Sequence, residues 1–261
     1  MKRRTCLLAG AAALWRPAFA TAPRDVAVGV LPGPHAEIMA VVRDVAAAQG
    51  LALRLVEREG GRAINDDVAG GRLDAACFQD AVAFAAEPRR QPAPLVEVAA
   101  TVTLPVAIYS RRVASVRQLP RGASIGIPRE RAAASRALVL LHNHGLVELR
   151  DGSGLTATPR DVTGIRYGFK LVPLPQDRLA DALHRLDAAV IDRPHAVRAQ
   201  LMPARDSIGL EDARTPWAGV LAVRDGDRAA GWVHTLVASY RSEPVKRFIL
   251  AQYQDSVRRP W

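Results

Sequence analysis

Cysteine is almost missing from this chain of 261 residues: Cys6 and Cys77 are the two it has. Cys6 lies in an N-terminal leader, so the rest of the chain keeps a single thiol and no internal disulfide, and a chain of this length needs none to hold a core. Cys77 stands in the apolar run Ala75-Ala76-Cys77-Phe78, where a buried structural thiol is expected rather than a nucleophile. The six histidines, His35, His142, His144, His184, His195 and His234, show no HExxH or other metal-ligand spacing. GxSxG, P-loop and dinucleotide fingerprints are missing as well. No catalytic constellation assembles, so the expectation is a protein that is not an enzyme and has neither cofactor nor metal.

Lysine is also scarce, at Lys2, Lys170 and Lys246 alone, so the formal charge of +10 is carried by arginine. The arginines are scattered rather than gathered into a stripe with interleaved aromatics, and aromatics make up only 5% of the chain. That argues for a solvated surface and against a nucleic-acid partner. Long hydrophobic runs are lacking too, and no segment reaches the roughly 20 apolar residues of a membrane-spanning helix. The stretch Cys6 to Trp15 follows Lys2, Arg3 and Arg4 and precedes Ala18-Phe19-Ala20, the pattern of a secretory signal peptide. Cleavage is expected after residue 20, releasing a soluble periplasmic protein that starts near Thr21. Residues 1–20 carry four positive charges and no acid, so +10 becomes +6. Cys6 follows Arg4-Thr5 instead of a lipobox run, so no lipid anchor is expected, and Arg3-Arg4 leaves the export route open.

What is present is an α/β pattern, with 49% apolar residues. Val28 to Met39, VGVLPGPHAEIM, joins an apolar strand to an amphipathic helix: Gly33 serves as N-cap, Pro34 opens the helix, and Gly50 ends it. A helix start at the carboxyl end of a strand is the usual ligand position in an open α/β sheet. Further strands are expected at Leu53–Glu57, Ala75–Phe78, Val96–Ala99, Val102–Tyr109, Ser124–Ile127, Phe169–Pro173, Ala188–Ile191 and Gly219–Val223, in a pattern that reads βαβ throughout. Arg72-Leu73-Asp74-Ala75-Ala76 returns as Arg185-Leu186-Asp187-Ala188-Ala189, each before a strand, which implies two similar lobes.

The run Pro32-Gly33-Pro34-His35-Ala36-Glu37-Ile38 resembles the signature of the NlpA lipoprotein family, the periplasmic methionine-binding lipoproteins of ABC importers. Matching stretches continue in order: Gly71 to Ala75 with Phe78-Gln79, Tyr109-Ser110, Leu119 to Ala123 with Ile127-Pro128, Arg136-Ala137-Leu138, Asp151-Gly152 with Gly154-Leu155, Leu186 to Ile191, Val223-Arg224 with Gly226-Asp227, and Pro260-Trp261. The resemblance implies the two-lobed type 2 periplasmic binding protein fold, with a ligand cleft between lobes. It divides the chain into a first lobe over 21–103, a second over 104–192, and a return to the first over 193–261. The linkers are expected near 101–105 and 191–195, and the C-terminal helix from about Glu243 returns to the first lobe.

In that family Arg136 matches the arginine that grips the ligand carboxylate, and Phe78 an aromatic wall. Both also have plainer readings, as a surface arginine and a core ring. Other pocket positions differ: the family's histidine is Asp80, its two tyrosines are Gly61 and Ala83, and its asparagines are Asp192 and Gly219. Trp217 stands where the family carries tyrosine, and an asparagine-rich loop is replaced by residues 129–133. These changes make methionine itself a doubtful ligand. Arg136 and Asp192, expected on opposite lobes across a wet cleft, would hold a zwitterion by carboxylate and ammonium. Asp80 either caps the helix over residues 81–86 or adds a second carboxylate to the cleft. The expected function is capture of an amino acid or related small zwitterion, handed by a monomer to an ABC permease. The alternative is a ligand-sensing or scaffold protein on the same fold, for which the altered pocket is the best argument.

Overall fold

A computed structural model describes residues 25–87 and 93–261, and the leader with Cys6 and its cleavage site lies outside the described residues. The chain runs β1 (Asp25–Val30), α1 (Pro34–Ala47), β2 (Ala52–Glu57), α2 (Gly61–Ala69), β3 (Ala75–Asp80), α3 (Ala81–Ala86) and β4 (Leu95–Ala100). It continues through β5 (Ala107–Tyr109), β6 (Ser124–Pro128), α4 (Arg131–Asn143), β7 (Val147–Leu149), β8 (Val162–Ile165), β9 (Lys170–Leu174), α5 (Leu179–Ala182), β10 (Ala188–Ile191), α6 (Arg193–Arg198), α7 (Pro203–Asp206) and β11 (Ser207–Leu210). It ends with β12 (Gly219–Arg224), α8 (Gly231–Tyr240) and α9 (Glu243–Tyr253).

Two five-stranded sheets form, ordered β2-β1-β3-β12-β4 and β11-β5-β10-β6-β9, with β7 and β8 as a separate pair. Strand β1 is apolar from Val26 onward because both its faces are covered there. Val26, Val28 and Val30 join a core with α1, α8 and α9, while Ala27 packs with Ile64 and Val68 of α2. Helix α1 buries Ile38, Met39, Val42 and Ala46 at helical spacing. Gly33 takes φ +89° at its N-cap, a conformation that suits glycine, and Pro34 opens the helix where no N–H is needed. Val245, Ile249 and Tyr253 of α9 join the first-lobe core, so the C-terminal helix does return to that lobe.

Three expectations need correction. The pattern is not βαβ throughout: β12 runs antiparallel to β3 and β4, and β5 runs antiparallel to β10 and β11. Both odd strands enter their sheet from the other lobe instead of from a crossover helix, which reverses their direction. Val102–Tyr109 is not one strand, because residues 101–106 cross between the lobes and only Ala107–Tyr109 pairs within the second sheet. The second lobe does not end at residue 192 either. Strand β11 still pairs with β5, so the chain leaves this lobe after Leu210 and returns through residues 211–218. β11, β7 and β8 span only three or four residues, too short to show a period in the sequence.

The five-residue repeat performs one task in both lobes. The Asp74 amide donates to the Ala27 carbonyl at 2.8 Å, and the Ala27 amide donates back to the Asp74 carboxylate at 2.9 Å. Asp187 does the same with Ser124, at 3.0 and 2.8 Å. An arginine completes each: Arg224 reaches Asp74 at 3.2 Å, and Arg112 reaches Asp187 at 2.6 Å. Each aspartate thus staples the start of the lobe's middle strand to its parallel neighbour, which sets the register that carries the strand ends to the cleft.

Candidate ligand cleft

A cavity of about 230 Å³ opens between the lobes. The first lobe supplies His35, Phe78, Gln79, Asp80, Ala83 and Gly219; the second supplies Arg136, Asp192, Arg193 and Pro194; the crossings supply Val102, Leu104 and Trp217. Of the eight residues expected at the site, Arg136, Asp192, Phe78, Asp80, Trp217, Ala83 and Gly219 line this cavity together. Gly61 does not. Its position, at the start of α2, is filled from behind by the Phe78 ring, whose Cε2 lies 2.2 Å from where a Cβ would stand. The space a side chain at residue 61 would enter is therefore held by Phe78.

Arg136 follows the end of β6 on α4, and the Nε–Nη2 edge of its guanidinium is engaged. Its Nε donates to Glu211 Oε1 at 2.9 Å, and its Nη2 donates to Glu211 Oε2 at 2.5 Å and to the Leu104 carbonyl at 3.0 Å. The Val106 amide and the Thr215 hydroxyl also donate to Glu211, each at 3.2 Å. The pair is dry, with side chains 15% and 6% exposed, and Trp217 covers the guanidinium with its ring centroid 5.5 Å from Cζ. Arg136 therefore ties α4 to both crossings. Side-on capture of a ligand carboxylate through Nε and Nη2 would require displacing Glu211, whereas Nη1 is not engaged by either partner.

Arg136 and Asp192 also do not face each other from opposite lobes. Each follows a strand of the second sheet, β6 and β10, and those strands are paired. Asp192 caps α6: its Oδ1 accepts from the His195 amide at 3.0 Å and contacts the His195 ring at 2.5 Å, and its Oδ2 accepts from Gln176 at 2.9 Å. Both its oxygens accept bonds within the chain, while the residue also lines the cavity. Asp80 holds the matching position in the first lobe, capping α3 through Ala83 N at 2.8 Å and lining the cavity at the same time. Burial raises its carboxyl above the ordinary range, against the bonds to the α3 amides and the charge of Arg136.

Three further wall groups were not among the expected site residues. Gln79 is fixed by reciprocal amide bonds with Asn65 at 3.2 and 3.3 Å, so it offers the cleft little freedom. His35 is buried with Nδ1 unpartnered, and burial, with the charge of Arg193, pushes its ring down to about 4, leaving it neutral near pH 7. Arg193 stacks on Tyr253 with Cζ 5.5 Å from the ring centroid, and its Nε is buried without a hydrogen-bond partner. A signal for His35 was present in its place one residue after the opening proline of α1. For Arg193 and Glu211 there was none, since their surroundings come from segments far apart in the chain. No group of three or more His, Cys, Asp or Glu able to hold a metal occurs among the described residues.

Residues 26–261 match the family model described as NlpA lipoprotein. The chain is 30% identical over 226 residues to the D-methionine-binding lipoprotein MetQ of Escherichia coli strain K12, covering 85% of this chain and 83% of that protein. It is 31% identical over 229 residues to the membrane lipoprotein TpN32 of Treponema pallidum, covering 88% and 85%. Its fold matches a nutrient binding protein from Burkholderia cenocepacia, solved bound to methionine, with a TM-score of 0.73, 32% identity, and coverage of 90% of this chain and all of the other. The two lobes, the cleft between them and the match across nearly the whole described chain lead to one conclusion: this protein belongs to the NlpA lipoprotein family.

Proposed function

We propose that this chain is the substrate-binding component of an ABC importer, working outside the inner membrane and binding an amino acid in the cleft between its lobes. The carrying observation is the interlobe cavity, walled by Phe78, Trp217, Val102 and Leu104 and holding both a cation, Arg193, and a carboxylate, Asp80. Apolar walls with a few convergent charges suit a small zwitterion with an apolar side chain. Relatives about 30% identical are named for binding D-methionine, and one solved neighbour was bound to methionine. Those names count against the expectation, drawn from the changed pocket residues, that methionine is doubtful. Methionine is therefore the first ligand to test. The protein performs capture rather than chemistry: a ligand touching both lobes favours the closed arrangement, which a permease can recognise.

A thermal-shift screen of L- and D-amino acids tests this reading. A true ligand at a hundred times its Kd should add about 2.7 kcal/mol of stability. The family and several relatives are named lipoproteins, which favours an anchored mature form. The leader argues the other way, because Cys6 follows Arg4-Thr5. On the leader's pattern the exported protein starts near Thr21 without lipid, and the intact mass of the exported protein decides between the two.

A further inference from the structure

The arginines that look scattered in the sequence are gathered by the fold. From Leu104 to Leu210 the second lobe carries sixteen lysines and arginines against nine acids, while residues 21–103 and 211–261 together carry sixteen against seventeen. Part of that excess lies at the end of the lobe away from the cleft, where α4 ends and where β6 and β9 begin side by side. A cavity of about 590 Å³ opens there between Arg117, Asn143, His144, Arg166 and Tyr167, and no acid lines it. Arg121 and Arg166 both stand over the Tyr167 ring, with Cζ 5.8 and 4.7 Å from its centroid. Arg112, Arg136 and Arg205 of the same lobe hold carboxylates, but among the described residues Arg117, Arg121, Arg166 and Lys170 have no ion-pair partner within 4 Å. Like charges gathered round one ring repel, and an anion from outside relieves that repulsion.

The ring is held ready for contact. Tyr167 takes φ +51°, a left-handed conformation unfavourable for a bulky residue, in a turn closed by the Gly122 amide donating to the Tyr167 carbonyl at 2.9 Å. Its ring meets the buried Phe169 edge to face at 6.0 Å, yet it stays 46% exposed, and Ile165 nearby is 41% exposed. A fixed aromatic ring and an aliphatic side chain among unpaired arginines match the headgroup layer of a bilayer, where rings sit half-wet and guanidinium groups reach phosphates. A free anion would use the arginines and leave the exposed ring and Ile165 without a purpose. We propose that this end of the second lobe docks on an anionic phospholipid surface, with one headgroup phosphate in the cavity against Arg117 and Arg166. The cleft, at the opposite end of the lobe, then stays open to solute. This goes beyond the capture reading and does not depend on what the cleft binds.

Sedimentation with vesicles of phosphatidylcholine, with and without phosphatidylglycerol, tests the proposal on the exported protein without cleft ligand. The wild type should bind the phosphatidylglycerol vesicles at least tenfold more tightly at low salt, and lose most of that preference as salt rises. Arg121→Gln with Arg166→Gln should cost at least tenfold, and Tyr167→Ala a smaller factor. Arg178→Gln with Arg198→Gln removes the same charge beside α5 and α6, which pack on the opposite face of the sheet, and should cost little. Equal loss from the two pairs, or equal binding of the wild type to both vesicles, would overturn the proposal. So would full competition by free glycerol 3-phosphate, which would make the cavity a site for a soluble phosphate. Should the Arg121 and Arg166 variant fail to fold, Arg117→Gln with Lys170→Gln takes its place in the same comparison.

Discussion

The two lobes are built on one plan and differ at the cleft. The order β2-β1-β3-β12-β4 corresponds to β9-β6-β10-β5-β11, and the middle strand of each begins with an aspartate stapled to its neighbour and ends at an aspartate that caps a short helix. The second lobe's cap, Asp192, holds side-chain partners in His195 and Gln176, and one edge of the second lobe's arginine, Arg136, is held by Glu211. The first lobe's cap, Asp80, has backbone donors alone, and His35 beside it has an empty Nδ1. Shared elements build the frame; what differs is how much bonding capacity each wall leaves for a ligand.

The sharpest way to break the comparison is to cut the strap that has no first-lobe counterpart. Glu211→Ala should strand Arg136 in a dry site and cost about 3–5 kcal/mol of folding free energy, measured by denaturant unfolding without ligand. Arg136→Ala should cost a similar amount, whereas a wet, ligand-dedicated arginine would leave ligand-free stability unchanged.

The staples should behave alike. Asp74→Asn and Asp187→Asn each weaken a charge-assisted exchange with the neighbouring strand, and each should cost about 1–3 kcal/mol. Loss from only one of them would mean that the repeat is a sequence echo without common function.

The fold was legible where a local signal decided it. Gly33-Pro34 with helical spacing of Ile38, Met39 and Val42 announced α1, and the repeated aspartates announced two related lobes. The antiparallel strands were not legible, because direction depends on which lobe a strand enters from. The site was half legible. Seven expected residues do share one cavity, but the partner that holds one edge of Arg136 lies 75 positions away at Glu211, and the ring that fills the space over Gly61 comes from β3. Side-chain pairing across the fold, not residue type, decides which groups face the ligand unpaired.

Packing sharpens the first-lobe wall. Gly61→Ala would put a Cβ against Phe78, so the ring must shift, at a cost of about 1–3 kcal/mol. Ligand affinity should fall as well, and calorimetry that shows no change would remove Phe78 from the wall.

The smallest effect is the titration of the two lobes, opposite in sign. Burial raises the Asp80 carboxyl, so its share of stability is present below the ordinary carboxylate range and is lost as pH rises through its folded value. At Asp187 burial also pulls upward, but bonds from Ser124 and Arg112 outweigh it and lower the carboxyl. Its share is present above the ordinary range and is lost as pH falls through the lowered value. Stability followed from pH 7 down to pH 2 should therefore lose less in Asp187→Asn than in the wild type, and Asp80→Asn should remove the opposing contribution.

A crystal structure of the wild type with L-methionine tests the central claim most directly. The account predicts methionine in the interlobe cavity against Phe78 and Trp217, the lobes drawn together, and the Arg136–Glu211 pair intact. Methionine bound outside this cavity, or Glu211 displaced from Arg136, would contradict it.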